Sequence, residues 1–366
     1  MKILYFIDAP RPGGATNQLY TLLKYLDRKK FTPLVAFGDF LELGPWIEQL
    51  KKLDIATLKT ELTEFNSFKA VKEFQRLYKS AKPDLIHLHL CHSGSLRAAF
   101  LARHARKIKI ITTEHDPFPL SFIKKQVKKF TLKSVDHTIA ISEATRNFLS
   151  EEYGIKGSKL TRIYNGIDTD VYHEGTVSRN EVLGLESSDF VVTAVSELHP
   201  RKGVKYLIKA FSEIKTQDKK TKLVICGTGE KLIEYQKLVK ELDLEDTVRF
   251  LGFRKDVPDI LRTSDLFVMP STREAFGLAA LEAMATKVPV IASEVGGLKE
   301  ILTSETGLFV PPKNSKALSE SILKLKKDDK QRENLVKKAF ERVEREFTAP
   351  TMAARTMELY EKVASK

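Results

Sequence analysis

Two glutamates with seven residues between them bound the segment best suited to chemistry: Glu274-Ala275-Phe276-Gly277-Leu278-Ala279-Ala280-Leu281-Glu282. An apolar, strand-like run, Asp265-Leu266-Phe267-Val268-Met269-Pro270-Ser271, precedes it. Ala283-Met284-Ala285 follows, with strong helix-forming composition. A strand therefore ends, a turn carries the first carboxylate, and a helix carries the second. Gly277 lets backbone approach a ligand closely. The amides at Gly277 and Leu278 open the helix and form an anion site. Carboxylates accept hydrogen bonds from hydroxyls, and a helix start attracts phosphate. A ligand that carries both groups, such as a nucleotide sugar, fits this pattern. Taken singly, each glutamate also reads as a solvated loop or helix-surface position.

Other segments add weaker signals. Gly13-Gly14-Ala15 follows the first apolar run and can cradle a phosphate or admit a sugar; a plain turn reads equally well. It lacks the three-glycine dinucleotide fingerprint and so gives little support to nicotinamide binding. Glu114-His115-Asp116 follows an apolar run at Ile108–Thr113, which puts His115 at the C-terminal end of a strand. His87 and His89 alternate onto one strand face, with His92 beyond. No carboxylate stands at metal-ligand spacing from them, so packing and polarity are the expected roles. Cys226-Gly227-Thr228-Gly229-Glu230 is a glycine-rich strand end suited to border a nucleotide.

These residues need a scaffold. Strand-length apolar runs alternate with helix-length amphipathic segments along all 366 residues. In the first half, strands are expected at 2–7, 34–37, 85–90, 108–113, 137–141 and 160–164, with helices at 15–27, 66–80, 94–106 and 143–152. In the second half, strands are expected at 190–195, 223–226, 248–251, 266–269, 288–292 and 307–310. Helices at 203–216, 230–242, 256–263, 278–286 and 314–327 lie among them. Such alternation predicts two α/β domains with parallel sheets, and ligands at the strand C-termini. Asn165-Gly166 and the polar run after Tyr172 place the boundary near residues 165–179. The expected domains are 1–172 and 173–349.

Hydrophobic content of 42% and charged content of 30% suit a soluble globular protein. No apolar run reaches the roughly 18 residues of a membrane span. The first residues read as a buried strand, not a signal peptide. Cys91 and Cys226 lie far apart and read as core residues, which points to a reducing, cytoplasmic compartment. The net charge of +13 is uneven, with 28 Lys/Arg against 19 Asp/Glu in residues 1–174. An anionic partner is therefore expected on the N-terminal half. Phe122, Ile123, Val127 and Phe130 share a rough helical face beside Lys124, Lys125, Lys128, Lys129 and Lys133. This segment suits docking on an anionic membrane, or an ordinary helix with its lysines in water. No basic stripe rich in aromatic residues suggests a nucleic-acid partner.

The glutamate pair, its flanks, Lys287-Val288-Pro289-Val290-Ile291-Ala292-Ser293 and Gly296-Gly297-Leu298-Lys299-Glu300 together resemble the retaining glycosyltransferases of family GT4. The resemblance covers nearly the whole chain and is strongest from Glu197 to Val310. It implies the GT-B fold: two facing Rossmann-like domains, a central cleft, and a last helix that crosses back onto the first domain. Pro350 breaks the chain before an amphipathic stretch, 351–364, that suits this return.

The resemblance also implies roles. Val195-Ser196-Glu197-Leu198-His199-Pro200-Arg201-Lys202-Gly203 is similar to the family's diphosphate-binding loop. Lys202 would neutralise the leaving diphosphate. Glu197 departs from the pattern, since many relatives carry arginine there, and Arg201 is the candidate replacement. Glu282 would bind the ribose and Glu274 a sugar hydroxyl. His115 matches the family's cleft histidine, and Gly14 belongs to a glycine pair that faces the donor. Gly227, Phe253, Phe276, Gly277 and Leu278 complete the donor site, with Phe253 where relatives bind the base. Tyr164-Asn165-Gly166-Ile167-Asp168 and Ala140-Ile141-Ser142-Glu143 match short family motifs, and Ser142 suits a helix cap.

The expected activity is transfer of a sugar from a UDP- or GDP-sugar to an acceptor hydroxyl, in envelope polysaccharide or glycolipid synthesis. No cofactor or obligatory metal is expected, and the sequence offers no assured nucleophile. A glycan or lipid-linked acceptor is expected, at the cytoplasm or the inner face of a membrane. The rivals are a nucleotide-sugar epimerase, a phosphorylase-like protein, and a weak or inactive GT-B protein that binds membranes.

Overall fold

The structure is a computed structural model that describes residues 1–7, 9–60, 67–89, 108–115 and 121–365. The chain divides into two compact units, Met1–Gly166 with Ala349–Lys366, and Ile167–Thr348. Ile167 belongs with the second unit because its N–H donates to Phe347 O at 2.8 Å and it bridges Thr348. The segment from Ile167 to Tyr172, expected at the end of the first domain, therefore opens the second unit.

The first unit is built on seven described strands: β1 (Lys2–Ile7), β2 (Thr32–Gly38), β3 (Ala56–Thr60), β4 (Leu85–His89), β5 (Lys109–Glu114), β6 (His137–Ala140) and β7 (Leu160–Arg162). Their order is β3-β2-β1-β4-β5-β6-β7, and every pairing is parallel. Its helices are α1 (Gly14–Lys24), α2 (Gly44–Lys52), α3 (Ser67–Ala81), α4 (Phe122–Ser134) and α5 (Glu143–Tyr153). A parallel sheet covered on both faces needs apolar side chains on both faces of each strand. In β1, Ile3, Tyr5 and Ile7 enter one core cluster while Leu4 and Phe6 enter the other.

Strand β3 and helix α2 escaped the sequence reading. Ala56-Thr57-Leu58-Lys59-Thr60 lies at the sheet edge and is largely solvent-facing, so it carries no apolar run. The expected helix at 94–106, Cys91, His92 and Asp116 lie outside the described residues.

The second unit has six described strands: β8 (Phe190–Val195), β9 (Thr221–Cys226), β10 (Val248–Gly252), β11 (Leu266–Met269), β12 (Val290–Ser293) and β13 (Leu308–Val310). Their order is β10-β9-β8-β11-β12-β13, again all parallel. Between β8 and β11 the order reverses direction, and such a switch point leaves a crevice at the strand C-termini. The helices are α6 (Arg179–Leu183), α7 (Val204–Gln217), α8 (Leu232–Glu241), α9 (Val257–Arg262), α10 (Leu278–Ala285), α11 (Leu298–Ile301), α12 (Ser315–Lys327) and α13 (Asp329–Glu346).

Helix α14 (Ala349–Ala364) ends the chain. Met352, Ala353, Leu359, Tyr360 and Val363 pack with Ile3, Tyr5 and Ile7 of the first unit, so the last helix returns to that unit. Pro350 sits inside the first turn of this helix and not before it. A first-turn N–H has no intrahelical acceptor, so proline costs no helix bond there.

Candidate active site

The second unit brings its charged candidates together at the switch point. The loop after β8 turns through a short 3-10 segment, Pro200–Lys202, where His199 Nδ1 accepts from Arg201 N at 3.2 Å. Gly203 then adopts φ +66°, and a β-carbon there would lie 1.9 Å from Pro270 O. Only glycine permits that approach. The contact ties this loop to the end of β11, where Thr272 N donates to Arg201 O at 2.7 Å. Lys202 is thereby aimed at the first glutamate: its Nζ donates to Glu274 Oε2 at 2.6 Å. Ser271 Oγ donates to the same oxygen at 3.2 Å. The two side chains are only 13% and 9% exposed, so the pair is screened weakly by solvent.

The turn that carries Glu274 is held from behind. Gly297 N donates to Glu274 O at 3.1 Å. Gly277 takes φ +114° as the residue that caps α10, and a β-carbon there would meet Leu298 Cδ2 at 2.5 Å. Leu278 and Ala279, half-buried, open α10 ahead of its first bond, Ala280 N to Gly277 O at 3.0 Å, so their amides lack intrahelical acceptors. Phe276 differs from expectation: its side chain is buried edge-on against Phe347 with centroids 6.1 Å apart. Only its backbone is left for a ligand.

Glu282, in the second turn of α10, is buried. Burial pushes its carboxyl up to about 7, offset in part by a hydrogen bond from the Tyr172 hydroxyl. Burial, with the Glu282 carboxylate as the second cause, raises the Tyr172 hydroxyl above the usual phenol range. Sequence reasoning missed Tyr172, which lies 110 positions before its partner. Its only signal was its place in the polar run at the domain boundary.

The remaining donor candidates lie near the same strand ends. Gly227 backs onto the loop after β8, where a β-carbon would lie 1.9 Å from Ser196 O, and its N–H donates to Gly252 O at 2.7 Å. Its observed role is close packing of two strand ends. Phe253, just beyond β10, is exposed. Arg201 Nη2 stands 3.6 Å from Glu197 Oε2, so the carboxylate that departs from the family pattern is paired with the arginine expected to replace the missing one.

In the first unit, Gly14 opens α1, and Gly13 before it is extended. Thr16 closes that turn, accepting from Gly13 N at 2.7 Å and donating to Gly13 O at 2.8 Å. His115 follows β5 and is buried. Its Nε2 lies 3.1 Å from His89 Nδ1, with the rings stacked. His87 sits beneath, its Nδ1 2.6 Å from Tyr360 Oη and its Nε2 2.8 Å from Thr113 Oγ1. Burial holds His115 and His87 down to about 3 and His89 well below the ordinary value, so all three rings are neutral.

The basic helix corrects the sequence reading at one residue. Lys128 is buried in an ion pair with buried Glu114 at 2.7 Å, and its Nζ lies 5.6 Å from the centre of the Tyr153 ring. It cannot contact a membrane surface. Lys125 pairs with Glu152, and Lys129 is half-buried. The side chain of Lys124 is outside what the structure describes. Phe122 and Phe130 are 77% and 61% exposed, whereas Leu132 and Val135 supply the core contacts. Among the described residues, no helix is long and apolar enough to cross a membrane. None of the described His, Cys, Asp and Glu side chains form a metal-binding group of three or more.

Each unit is an α/β layer structure on an all-parallel sheet, and the second carries a lysine–glutamate pair at the switch point where such sheets bind ligands. The family model described as Glycosyltransferase Family 4 matches residues 12–171, and that described as Glycosyl transferases group 1 matches residues 179–342. The chain belongs to glycosyltransferase family 4 and is a glycosyltransferase of GT-B fold. It is 29% identical over 291 residues to the N-acetyl-alpha-D-glucosaminyl L-malate synthase of Bacillus anthracis, covering 76% of this chain and 74% of that one. It is 28% identical over 287 residues to the UDP-Gal:alpha-D-GlcNAc-diphosphoundecaprenol alpha-1,3-galactosyltransferase of Escherichia coli, covering 74% of each. The crystal structure of Anabaena Alr3699/HepE in complex with UDP and glucose superposes with a TM-score of 0.88 at 25% identity, over 99% of this chain and all of that one.

Proposed function

We propose that this glycosyltransferase moves a hexose from a nucleoside-diphosphate sugar, a UDP-sugar first among candidates, to an acceptor hydroxyl with retention at the anomeric carbon. The observation that carries the reading is the Lys202–Glu274 pair at 2.6 Å, formed by two loops that are distant in sequence. The bond from the anomeric carbon to the diphosphate breaks, and Lys202, Arg201 and the first amides of α10 receive the growing negative charge. Such preorganised charge stabilisation is worth more in a dry site than in water. The acceptor oxygen bonds to the same face of the sugar, and its proton passes to the departing phosphate oxygen. Glu282 holds the ribose hydroxyls, Glu274 a sugar hydroxyl, and His115 positions the sugar. No metal is required, because cationic side chains and helix amides supply the positive charge.

HepE, bound to UDP and glucose, supports the donor class. A thermal-shift screen of UDP, GDP and their sugars, followed by assay of nucleoside-diphosphate release, tests it. Stabilisation by UDP and by one UDP-sugar is expected. A protein that responds to no nucleoside diphosphate contradicts it.

For the acceptor, we favour a lipid-linked or envelope glycan met at an anionic surface. Exposed Phe122 and Phe130 on a lysine-bearing helix support this, as does the diphosphoundecaprenol-linked acceptor in the name of the Escherichia coli relative. Sedimentation with anionic liposomes at low salt tests it, and failure to sediment would turn the search to soluble acceptors.

A further inference from the structure

We propose that His89 is a positioning residue for sugar transfer, which fixes His115 in the tautomer that carries its proton on Nδ1 and so makes His115 a hydrogen-bond donor. The inference rests on the proposed role of His115 at the sugar. His89 Nδ1 and His115 Nε2 lie 3.1 Å apart, and one of them must donate. His89 Nε2 is buried and has no partner among the described residues. If His115 donated, His89 would carry its proton on Nε2 and bury an unsatisfied N–H. If His89 donates from Nδ1, what remains buried is a bare acceptor. Orphaned buried N–H groups are the rarer of the two in folded proteins. His89 therefore donates, His115 Nε2 accepts, and the one proton of neutral His115 stays on Nδ1. Burial keeps both rings neutral, which is why the choice of tautomer matters.

The support beneath His89 is equally fixed. Its ring packs on His87 with centroids 4.2 Å apart. Tyr360 of α14 and Thr113 of β5 hold both nitrogens of His87. His115 is thus seated on a buried column that ends at the C-terminal helix. A neutral imidazole that presents N–H is suited to a sugar hydroxyl or ring oxygen, and not to taking a proton.

The test compares His89→Asn, His89→Gln and His89→Ala, with and without His115→Ala, in UDP release from UDP-glucose and UDP-N-acetylglucosamine. The asparagine amide places its N–H where imidazole Nδ1 was, and glutamine does not. His89→Ala and His89→Gln are expected to lower kcat by about 10-fold through misplacement of His115, with UDP affinity unchanged. His89→Asn is expected to restore the larger part of that loss. In the His115→Ala background, His89→Ala should cost nothing further, because its effect runs through His115. Equal losses for His89→Ala in both backgrounds, or equal activity of His89→Asn and His89→Gln, would overturn the proposal while leaving the role of His115 intact. Wild-type kcat in His115→Ala would instead remove the role of His115, and the proposal with it. Thermal unfolding of each variant separates lost activity from lost fold.

Discussion

The strand ends of the two units carry opposite kinds of polar group. In the second unit, Lys202, Glu274, Arg201 and Glu197 form ion pairs at the ends of β8 and β11. In the first unit, three histidines are kept neutral by burial at the ends of β4 and β5. The contrast follows the chemistry proposed for each side. A departing diphosphate develops charge and is served by fixed cations and amides. A sugar changes charge less at its hydroxyls and is served by oriented neutral donors. Buried charge is costly unless paired, so the second unit pairs its lysine in advance, and the first keeps the buried rings at its strand ends neutral. Where the first unit does bury a charge, at Lys128, it lies on the other side of β5 and is paired with Glu114.

The largest effect that would break this contrast is expected at Lys202. Lys202→Ala should lower kcat by about 100-fold or more, because it removes charge stabilisation where the diphosphate leaves. It also leaves Glu274 Oε2 with only the Ser271 hydroxyl to donate to it. Lys202→Arg should recover part of the rate, and steady-state UDP release reads both. Wild-type turnover in Lys202→Ala would mean that the charged side of the comparison does no catalysis.

Next in size is Glu282. Its alanine variant should weaken UDP binding by roughly 1–3 kcal/mol, the scale of hydrogen bonds to a charged group, as read by calorimetry. The same residue gives a pH signature. The folded protein keeps the Glu282 proton up to about 7, against 4.5 for an ordinary glutamate. Stability is therefore lost as pH rises from about 4.5 through about 7, by up to roughly 3 kcal/mol. Glu282→Gln escapes this loss. It should melt higher than wild type at pH 8, with the gain fading by pH 5, even though it binds UDP less well. Melting curves that differ equally at both pH values would show that burial does not raise this carboxyl.

A smaller effect is expected where the charged side departs from its family. Glu197 lies in the loop after β8 and holds Arg201 at 3.6 Å. Glu197→Gln should tighten UDP binding by about 0.5–1 kcal/mol, the scale of a partly exposed ion pair and one fewer like charge. Arg201→Ala should weaken binding. Weaker binding by Glu197→Gln would show that Glu197 orients Arg201 usefully.

The smallest and most salt-sensitive effect concerns the basic helix. Phe122→Ser with Phe130→Ser should reduce sedimentation with anionic liposomes at low salt and leave UDP binding alone. Lys128→Gln should instead lower the melting temperature, because it strands buried Glu114. Loss of liposome binding without loss of stability in Lys128→Gln would return that lysine to the surface.

Much of this was legible in the sequence, for identifiable reasons. Parallel strands are buried on both faces, so twelve of the thirteen described strands, and most of the helices between them, stood out as apolar runs among amphipathic stretches. Glu274 and Glu282 announced themselves by a strand, a turn and a helix within one short segment. Strand β3 did not, because an edge strand needs few apolar residues. Strand β13 was only three residues long, yet Gly307 ahead of it marked its start. Helix α13 was hidden by its charge, since only Leu335, Ala339 and Val343 reach the core. What could not be read was pairing across distance. Tyr172 with Glu282, Glu114 with Lys128, and His89 with His115 are each made by the fold, and no local spacing signals them. Lys128 shows the cost: on a helical wheel it belonged with its exposed neighbours, and only the sheet beneath reveals its buried carboxylate.

Whether Lys202 and Glu282 bind the nucleotide without metal is decided by calorimetric titration of UDP at pH 8, with a chelator present, into wild type, Lys202→Ala and Glu282→Ala. The wild type is expected to bind without metal, and both variants to lose at least about 1 kcal/mol of affinity. Wild-type affinity in both variants, or no binding of UDP by the native protein, would contradict it.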